Sequence, residues 1–400
     1  MRLKFKAVFA AALACLAAPA LAQEDAAAPS GAAPPPAAAQ PPAATPRAPI
    51  PYTSLNRPAP RPTPRAATPA ATPPVSPAAT SLGTVQGLPV TTSGARLAAG
   101  EAIPQAELEA FVDGVVRDAM ARDHIAGVTV SVVQNGQVVL KKGYGFASLS
   151  PARKVDPDKT LFRVGSISKT FTWIALMKEI EAGRIRQDAP INLYLPERIQ
   201  VRDQGYRAPV RVINLMDHSP GFEDRALGHL FERNFNRVRP LAEYLRQERP
   251  RRVRAPGEAS AYSNYGAALA GEAVSYVSGK PFEQLIEDSI FRPAGMASTS
   301  FREPHPVKAG LPAPLAAGLA ANLSDAYRWA DGAFARRPFE YVGQIAPAGS
   351  ASSTAGDMAR YMQLLLNGGV IDGKAIYGPQ AAQAFRTPIR KTPTGINGWR

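Results

Sequence analysis

Length, composition and charge narrow the class of protein before any motif is considered. The chain has 400 residues, of which 45% are hydrophobic and 20% charged, and its formal net charge is +14. Of its 40 prolines, 18 lie between Pro29 and Pro89, in a stretch that otherwise contains mostly Ala, Thr and Ser. Such a stretch has too little apolar bulk to form a core, which leaves about 300 residues for one large folded domain. A collagen and a coiled coil are excluded, because glycine has no period of three and proline recurs throughout.

The first residues have the pattern of a secretory signal. Basic residues at positions 2, 4 and 6 precede an apolar run at 7–18, and Ala20-Leu-Ala22 then provides a cleavage site of small residues. The run is shorter than the roughly 20 apolar residues that a membrane-spanning helix needs. We therefore predict a signal peptide at 1–22, cleavage near Ala22 and export to the periplasm or the extracellular space. The only cysteine, Cys15, lies within this signal, so the mature chain has neither disulfides nor thiol chemistry.

Residues 23–100 are predicted to form a disordered linker rich in proline and alanine, followed by a folded domain at 101–400. Proline holds φ near the polyproline value, so the linker is expected to be semi-rigid. A tether for the folded domain and a dispensable tail both fit this composition. The basic charge of the linker also leaves open a contact with the cell wall or a membrane surface.

The predicted elements begin after Pro104, where apolar residues at helical spacing indicate an amphipathic helix. Residues 127–134 and 137–142 then have the pattern of two strands, and Asn135-Gly136 between them is the strongest short signal for a hairpin. The next helix, which ends at Gly183, is apolar nearly all the way round and is expected to be buried centrally. Beyond it, almost only helical segments and loops are predicted.

A serine and a lysine lie three residues apart where this second helix begins. In Ser166-Ile-Ser-Lys169, the hydroxyl and the amine are on one face of the first turn. The positive end of the helix dipole and the apolar surroundings both disfavour an ammonium, so Lys169 is suited to accept the proton of Ser166. The spacing alone also fits a Ser166 that acts only as a helix N-cap.

A second pair of polar residues precedes a helix of small residues. Tyr262 and Asn264 lie two positions apart on a predicted turn, and Gly279 closes the helix that follows. A phenol can relay a proton, and an amide can bind a substrate carbonyl. The alternative for this pair is a turn tyrosine followed by a capping asparagine.

Taken together and in this order, the two pairs resemble the serine β-lactamase and penicillin-binding hydrolase family, in its branch of class C β-lactamases, DD-peptidases and related esterases. The resemblance covers about residues 105–390. Besides the two pairs, it includes the strings Gly143-Tyr-Gly-Phe146, Asn192-Leu-Tyr-Leu-Pro-Glu197, Leu215-Met-Asp-His-Ser-Pro-Gly-Phe222 and Arg292-Pro-Ala-Gly-Met296.

This resemblance implies a fold and a set of roles. The fold is of the α+β class, an antiparallel sheet flanked by helices plus a mostly helical lobe. The catalytic residues are Ser166 as the nucleophile, Lys169 as the base and Tyr262 as the proton shuttle to the leaving group. Asn264 is the substrate-binding residue that orients the acyl side chain, and the backbone N–H of Ser166 forms half of the oxyanion hole.

One part of the family pattern is missing from the sequence. In the family, a strand with Lys-Thr-Gly or His-x-Gly supplies the other N–H of the oxyanion hole. Lys391-Thr-Pro-Thr-Gly395 is interrupted by proline and has no strand pattern around it. We therefore expect the sheet to be incomplete in this chain and the domain to continue beyond Arg400.

The sequence gives weaker indications about nucleic acid, cofactors and metal ions. The densest basic cluster, Arg249-Pro-Arg-Arg-Val-Arg254, has no interleaved aromatic residues, so no nucleic acid is expected and the cluster is predicted to be a solvated loop. No cofactor is expected, and the scattered histidines have no ligand spacing, so no metal is expected either. For His218, hydrogen bonds that brace its loop are favoured over a role as general base.

Two functions stay open on the sequence. The first is an exported serine hydrolase that acts on an amide or ester, such as a peptidoglycan stem peptide, a β-lactam or a small ester. The second is a non-catalytic module that recognises penicillin or binds the cell wall. The sequence does not distinguish among these substrates.

Overall fold

A computed structural model describes residues 97–98, 100–223 and 230–389 of the chain. All of them lie in the second of the two units into which the chain divides, Arg96–Arg400. The predicted signal peptide, nearly all of the predicted linker and Lys391-Thr-Pro-Thr-Gly395 lie outside the described residues. The boundaries at 22 and 100 therefore stay predictions.

The described residues combine helices with short antiparallel sheets. The helices are α1 (Gln105–Arg122), α2 (Ser168–Glu181), α3 (Val212–Met216), α4 (Leu241–Gln247), α5 (Asn264–Ser278), α6 (Phe282–Ile286), α7 (Ala317–Ala320), α8 (Ala346–Gly349), α9 (Ala355–Leu366) and α10 (Pro379–Ala384). The strands are β1 (Gly127–Gln134), β2 (Gln137–Leu149), β3 (Ala152–Lys154), β4 (Phe162–Arg163), β5 (Ala326–Ala330), β6 (Ala333–Arg337), β7 (Ser352–Ser353), β8 (Val370–Ile371) and β9 (Lys374–Ala375).

The predicted hairpin is confirmed and forms the largest sheet among the described residues. Strands β1, β2 and β3 pair in that order, all antiparallel. Asn135 and Gly136 both have positive φ, 51° and 77°, as a two-residue hairpin turn requires. Strand β2 continues to Leu149, well beyond the predicted end at 142, because its second half also pairs with β3.

A second hairpin, β5 with β6, corrects the expectation of almost only helices and loops after α2. Its turn is Asp331-Gly332, with φ values of 53° and 76°. This is the same two-residue turn as in the first hairpin. The Asp-Gly pair has the same turn signal as Asn135-Gly136, but the arginines in both strands weaken the hydrophobic alternation around it, and the hairpin was not predicted.

The core lies in the helical lobe, where α2 packs against α5. Phe171 of α2 is fully buried, and its ring centroid lies between 4.5 and 6.3 Å from those of Phe291, Phe301 and Tyr361. Helix α5 contains a set of small buried residues: Ala267, Ala268, Ala270, Gly271 and Ala273. Small side chains allow the two helices to approach closely, and the predicted central burial of α2 is confirmed. Together with the sheets, this arrangement confirms the α+β class.

The prediction that the basic cluster is a solvated loop is wrong for one of its arginines. Arg252 is only 7% exposed, and its guanidinium donates to the backbone carbonyls of Tyr206 and Ala208 at 3.1 Å each. The carbonyl oxygens stabilise the buried cation, while Arg251 beside it remains exposed.

Two further properties apply to residues 97–98, 100–223 and 230–389 alone. No helix within them is long and apolar enough to cross a bilayer. Within the same ranges, no group of three or more His, Cys, Asp or Glu side chains is placed to hold a metal ion.

Candidate active site

Ser166 lies on a single tight turn, Gly165–Ile167, between strand β4 and helix α2. Strand β4 is held by pairing with β7, and Gly165 has a φ of +54°, a conformation that few other residues adopt. The side chain of Ser166 is exposed. Ile167 takes the N-cap position of α2 and no side chain caps it, so the alternative of Ser166 as an N-cap is wrong.

Lys169 is buried in the first turn of α2, with 3% of its surface exposed. Its Nζ atom lies 3.2 Å from Ser166 Oγ, 2.8 Å from Asn264 Oδ1 and 2.7 Å from the Ala348 backbone oxygen. The amide oxygen and the backbone oxygen can only accept hydrogen bonds, whereas the serine hydroxyl can also donate. An ammonium at this position donates to all three oxygens. A neutral amine donates to the two carbonyl oxygens and accepts from the serine hydroxyl.

Tyr262 completes the surroundings of the nucleophile. Its hydroxyl donates to Ser166 Oγ at 2.8 Å, and its ring centroid lies 4.7 Å from Lys169 Nζ. About half of its side chain is exposed, so the phenol is in contact with Ser166 at one end and open to solvent around it. A proton can therefore pass between the serine, the lysine and the phenol without a large movement of any of them.

Asn264 is the first residue of α5 and is 8% exposed. Ser263 rather than Asn264 caps this helix, since its Oγ accepts from Gly266 N at 3.0 Å. The alternative of a capping asparagine is therefore wrong. The Asn264 amide oxygen instead accepts from Lys169. Its role in orienting the acyl side chain of a substrate stays a prediction.

The Ala348 carbonyl is the part of the site that the sequence analysis missed. It belongs to the short helix α8, and two further hydrogen bonds hold α8 and the residues just after it on the first turns of α2. Thr172 Oγ1 donates to the Pro347 oxygen at 2.8 Å, and the Ala351 N–H donates to Ser168 Oγ at 3.0 Å. A backbone carbonyl has no side-chain signature, and only the run of small residues at 346–351 pointed to close packing there.

His218 lies beside Tyr262, and the predicted loop-bracing contacts are confirmed. Its backbone oxygen accepts from Ala261 N at 2.7 Å, and its Nδ1 atom accepts from Ser263 N at 3.2 Å. The structure thus brings all four predicted site residues together: Ser166, Lys169, Tyr262 and Asn264. His218 contacts the Tyr262 ring.

An exposed serine in contact with a buried lysine and a tyrosine, on an α+β fold with a helical lobe, is the arrangement of the β-lactamase and penicillin-binding class of proteins. The family model described as "Beta-lactamase" matches residues 112–399. The chain belongs to the β-lactamase family.

The relatives of the chain share limited identity with it. "Protein flp" of Staphylococcus aureus (strain N315) is 24% identical over 193 residues, which are 48% of this chain and 38% of that protein. A protein named "Beta-lactamase" from Pseudomonas fluorescens is 28% identical over 198 residues, which are 50% of this chain and 52% of that protein. The matched region thus spans about half or less of each relative.

One solved structure superposes on a larger share of the chain than these sequence matches cover. The D-alanine carboxypeptidase AmpC from Burkholderia cenocepacia superposes with a TM-score of 0.53 at 26% identity. The superposition covers 70% of this chain and 69% of that one.

Proposed function

We propose that the chain is an exported serine hydrolase that transfers the acyl group of an amide or ester to Ser166 and then to water. One observation carries this proposal: Ser166 Oγ lies within hydrogen-bond distance of both Lys169 Nζ, at 3.2 Å, and the Tyr262 hydroxyl, at 2.8 Å. Family membership and the names of the similar β-lactamase and carboxypeptidase support it.

In the first step, Lys169 takes the proton of the Ser166 hydroxyl while Oγ attacks the carbonyl carbon of the substrate. The amine is suited to this because its other two contacts, Asn264 Oδ1 and the Ala348 oxygen, accept its N–H groups and keep the lone pair directed at Ser166. The negative charge that develops on the carbonyl oxygen is stabilised by the backbone N–H of Ser166, which lies at the start of a helical turn and has no partner earlier in that turn.

In the second step, the carbon–nitrogen or carbon–oxygen bond of the substrate breaks. The departing nitrogen or oxygen takes a proton from the Tyr262 hydroxyl, and the phenolate takes in return the proton that Lys169 removed from Ser166, since Nζ lies beside the tyrosine, 4.7 Å from its ring centroid. The acyl group remains on Ser166 as an ester. Water then attacks this ester with proton transfers in the reverse direction, which releases a carboxylic acid and restores the serine.

The substrate class within this proposal is a peptidoglycan stem peptide, a β-lactam or a small ester. All three present a carbonyl with a nitrogen or oxygen leaving group to the same nucleophile. Export after cleavage near Ala22 is part of the proposal, because peptidoglycan lies outside the cytoplasm. A contact of the basic linker with the cell wall or a membrane surface would then keep the domain near such a substrate.

A labelling experiment tests the proposal. The full chain is incubated with a fluorescent fluorophosphonate or penicillin, and the adduct is located by mass spectrometry. We expect one adduct, on Ser166, because the exposed hydroxyl of this residue is in contact with the buried amine. Ser166→Ala is expected to abolish labelling, whereas Ser275→Ala, near the far end of α5, leaves it unchanged. An adduct on another serine contradicts the assignment.

Turnover distinguishes the hydrolase from the non-catalytic module. With a nitrophenyl ester in excess over the protein, a hydrolase continues to release nitrophenol after each chain has reacted once. Stable acylation that stops after one equivalent, or no acylation of Ser166, favours a module that only recognises penicillin or binds the cell wall.

A further inference from the structure

Tyr262 lies in a segment, residues 252–263, that belongs to neither a helix nor a strand. Its course is set by the loop 217–221, which follows α3. Four hydrogen bonds join the two segments: Val253 N to Gly221 O at 2.8 Å, Gly257 N to Ser219 O at 2.8 Å, Ser260 Oγ to Asp217 O at 2.7 Å and Ala261 N to His218 O at 2.7 Å. The position of the Tyr262 phenol therefore depends on the hydrogen bonds that this loop makes.

His218 makes the contacts of this loop that lie closest to the phenol. Its backbone oxygen binds the N–H of the residue before Tyr262, and its Nδ1 atom binds the N–H of Ser263, the residue after it, at 3.2 Å. The imidazole also packs against the Tyr262 ring, with centroids 4.7 Å apart and planes inclined by 35°. His218 thus contacts the Tyr262 segment before, at and after the tyrosine.

The backbone of His218 is in the left-handed region, with a φ of +54°. Residues other than glycine take this conformation at an energetic cost, and Asn, Asp and His tolerate it better than most. Here the conformation places the carbonyl oxygen and the ring of one residue on the same segment. Such a conformation persists only where surrounding contacts maintain it.

We infer that His218 is a positioning residue for the reaction, which holds the Tyr262 hydroxyl on Ser166 Oγ through the hydrogen bond that its Nδ1 atom accepts from the Ser263 N–H. This inference rests on the proposed function. His218 does not touch the nucleophile in the structure; it acts through Tyr262.

The Nδ1 atom can accept the Ser263 N–H only while it carries no proton. The charged and titratable groups that face His218 are Lys169 of α2, Tyr262 and the adjacent Asp217. Burial and the positive charge of Lys169 lower the pKa of His218, while Asp217 acts in the opposite direction. The imidazole therefore stays neutral to a lower pH than an exposed histidine does. Acidification would protonate Nδ1, break the bond to Ser263 and add a positive charge beside Lys169.

Three substitutions of His218 test the role of its Nδ1 acceptor independently of the rest of the side chain. His218→Asn keeps an acceptor near the position of Nδ1 and tolerates the left-handed backbone. His218→Ala removes the acceptor and the ring, and His218→Gln moves the acceptor one methylene away. His124→Ala is the matched control, because His124 also has a positive φ of 50° and stacks on an aromatic ring, that of Trp329.

The readouts are kcat and KM for a nitrophenyl ester, with each variant checked for cooperative thermal unfolding. We expect His218→Ala and His218→Gln to lose about tenfold to hundredfold in kcat with little change in KM, because the phenol is misplaced. His218→Asn and His124→Ala are expected to stay near the wild type. At acid pH, the rate of His218→Asn should fall less steeply than that of the wild type, because the asparagine amide takes up no proton.

Equal rates for wild type and His218→Ala, or equal losses for His218→Asn and His218→Gln, overturn the inference while the proposed function stands. If His218→Ala does not fold, the comparison of the Asn and Gln variants decides in the same way. A wild-type chain that is not acylated on Ser166 overturns both the proposed function and the inference.

Discussion

The Nζ atom of Lys169 lies 2.8 Å from the Oδ1 atom of Asn264, and the two residues are 95 positions apart in the chain. The contact joins the first turn of α2 to the first residue of α5, and both side chains are buried. Its geometry is maintained by the packing of the two helices. The state of the amine therefore depends on a residue from a different part of the sequence.

Asn264→Asp tests this dependence through pH. The substitution keeps the size of the side chain but places a negative charge beside Nζ, which favours the ammonium. We expect the pH at which acylation of Ser166 reaches half its maximum to move upward, with a lower rate at pH 7. The measurement is the rate of probe labelling between pH 5 and 10. An unchanged pH profile would show that Asn264 does not influence the base.

Lys169→Arg separates the charge from the ability to take a proton. A guanidinium stays protonated near neutral pH, so it cannot accept the proton of Ser166. We expect acylation to fall by several orders of magnitude, measured as the rate of adduct formation by mass spectrometry. Lys141→Arg is the control, because Lys141 pairs with Asp158 on the surface at 2.6 Å and should tolerate the change. Acylation at the wild-type rate in Lys169→Arg would point to another base.

Gly271→Ala is expected to lower the stability of the fold and the rate of acylation, although Gly271 does not contact Ser166. A Cβ atom at position 271 would lie 2.3 Å from Pro347 Cγ, so α5 and α8 must separate, and α8 carries the Ala348 oxygen that contacts Lys169. We expect a loss of about 1–3 kcal/mol in the free energy of unfolding and slower acylation. Urea unfolding and probe labelling measure the two effects.

Gly114→Ala is the matched control for that change. Gly114 lies within α1, and no heavy atom lies within 4 Å of the Cβ atom that alanine would add. Alanine should therefore raise the free energy of unfolding by about 0.5–1 kcal/mol and leave acylation unchanged. A Gly271→Ala chain that gains as much stability would show that α5 and α8 separate without cost.

Glu283 makes stability depend on pH. The residue is 6% exposed at the start of α6, and burial raises its pKa from 4.5 to about 7. The folded chain binds this proton more tightly than the unfolded chain. The proton on Glu283 therefore adds to the free energy of unfolding below pH 4.5, and this added stability is lost as the pH rises through about 7. The full effect is about 3 kcal/mol.

Glu283→Gln mimics the protonated carboxyl group at every pH. We therefore expect the variant to match the wild type near pH 4.5 and to unfold at a higher temperature than the wild type at pH 8. The measurement is the difference in Tm between the two proteins across this range. Glu107→Gln, at an exposed position in α1, should show a difference that does not vary with pH. A constant difference for Glu283→Gln as well would contradict the prediction.

Local patterns predicted much of the fold. Asn135-Gly136 located the first hairpin, because a two-residue turn with two positive φ values has few alternatives. The apolar run around Phe171 predicted a buried helix, since a helix that is apolar on all sides needs neighbours on all sides. The hairpin at Asp331-Gly332 was missed, although its turn has the same signal, because arginines interrupt the alternation of its strands.

The sequence by itself determined that Ser166 and Lys169 lie side by side, because residues three apart in successive helical turns face the same side. Only the tertiary structure decided which groups hold the amine. Asn264 Oδ1 and the Ala348 oxygen reach it from 95 and 179 positions away. Contacts over such separations depend on how α2, α5 and α8 pack together, and the Ala348 oxygen is a backbone atom that every residue type possesses.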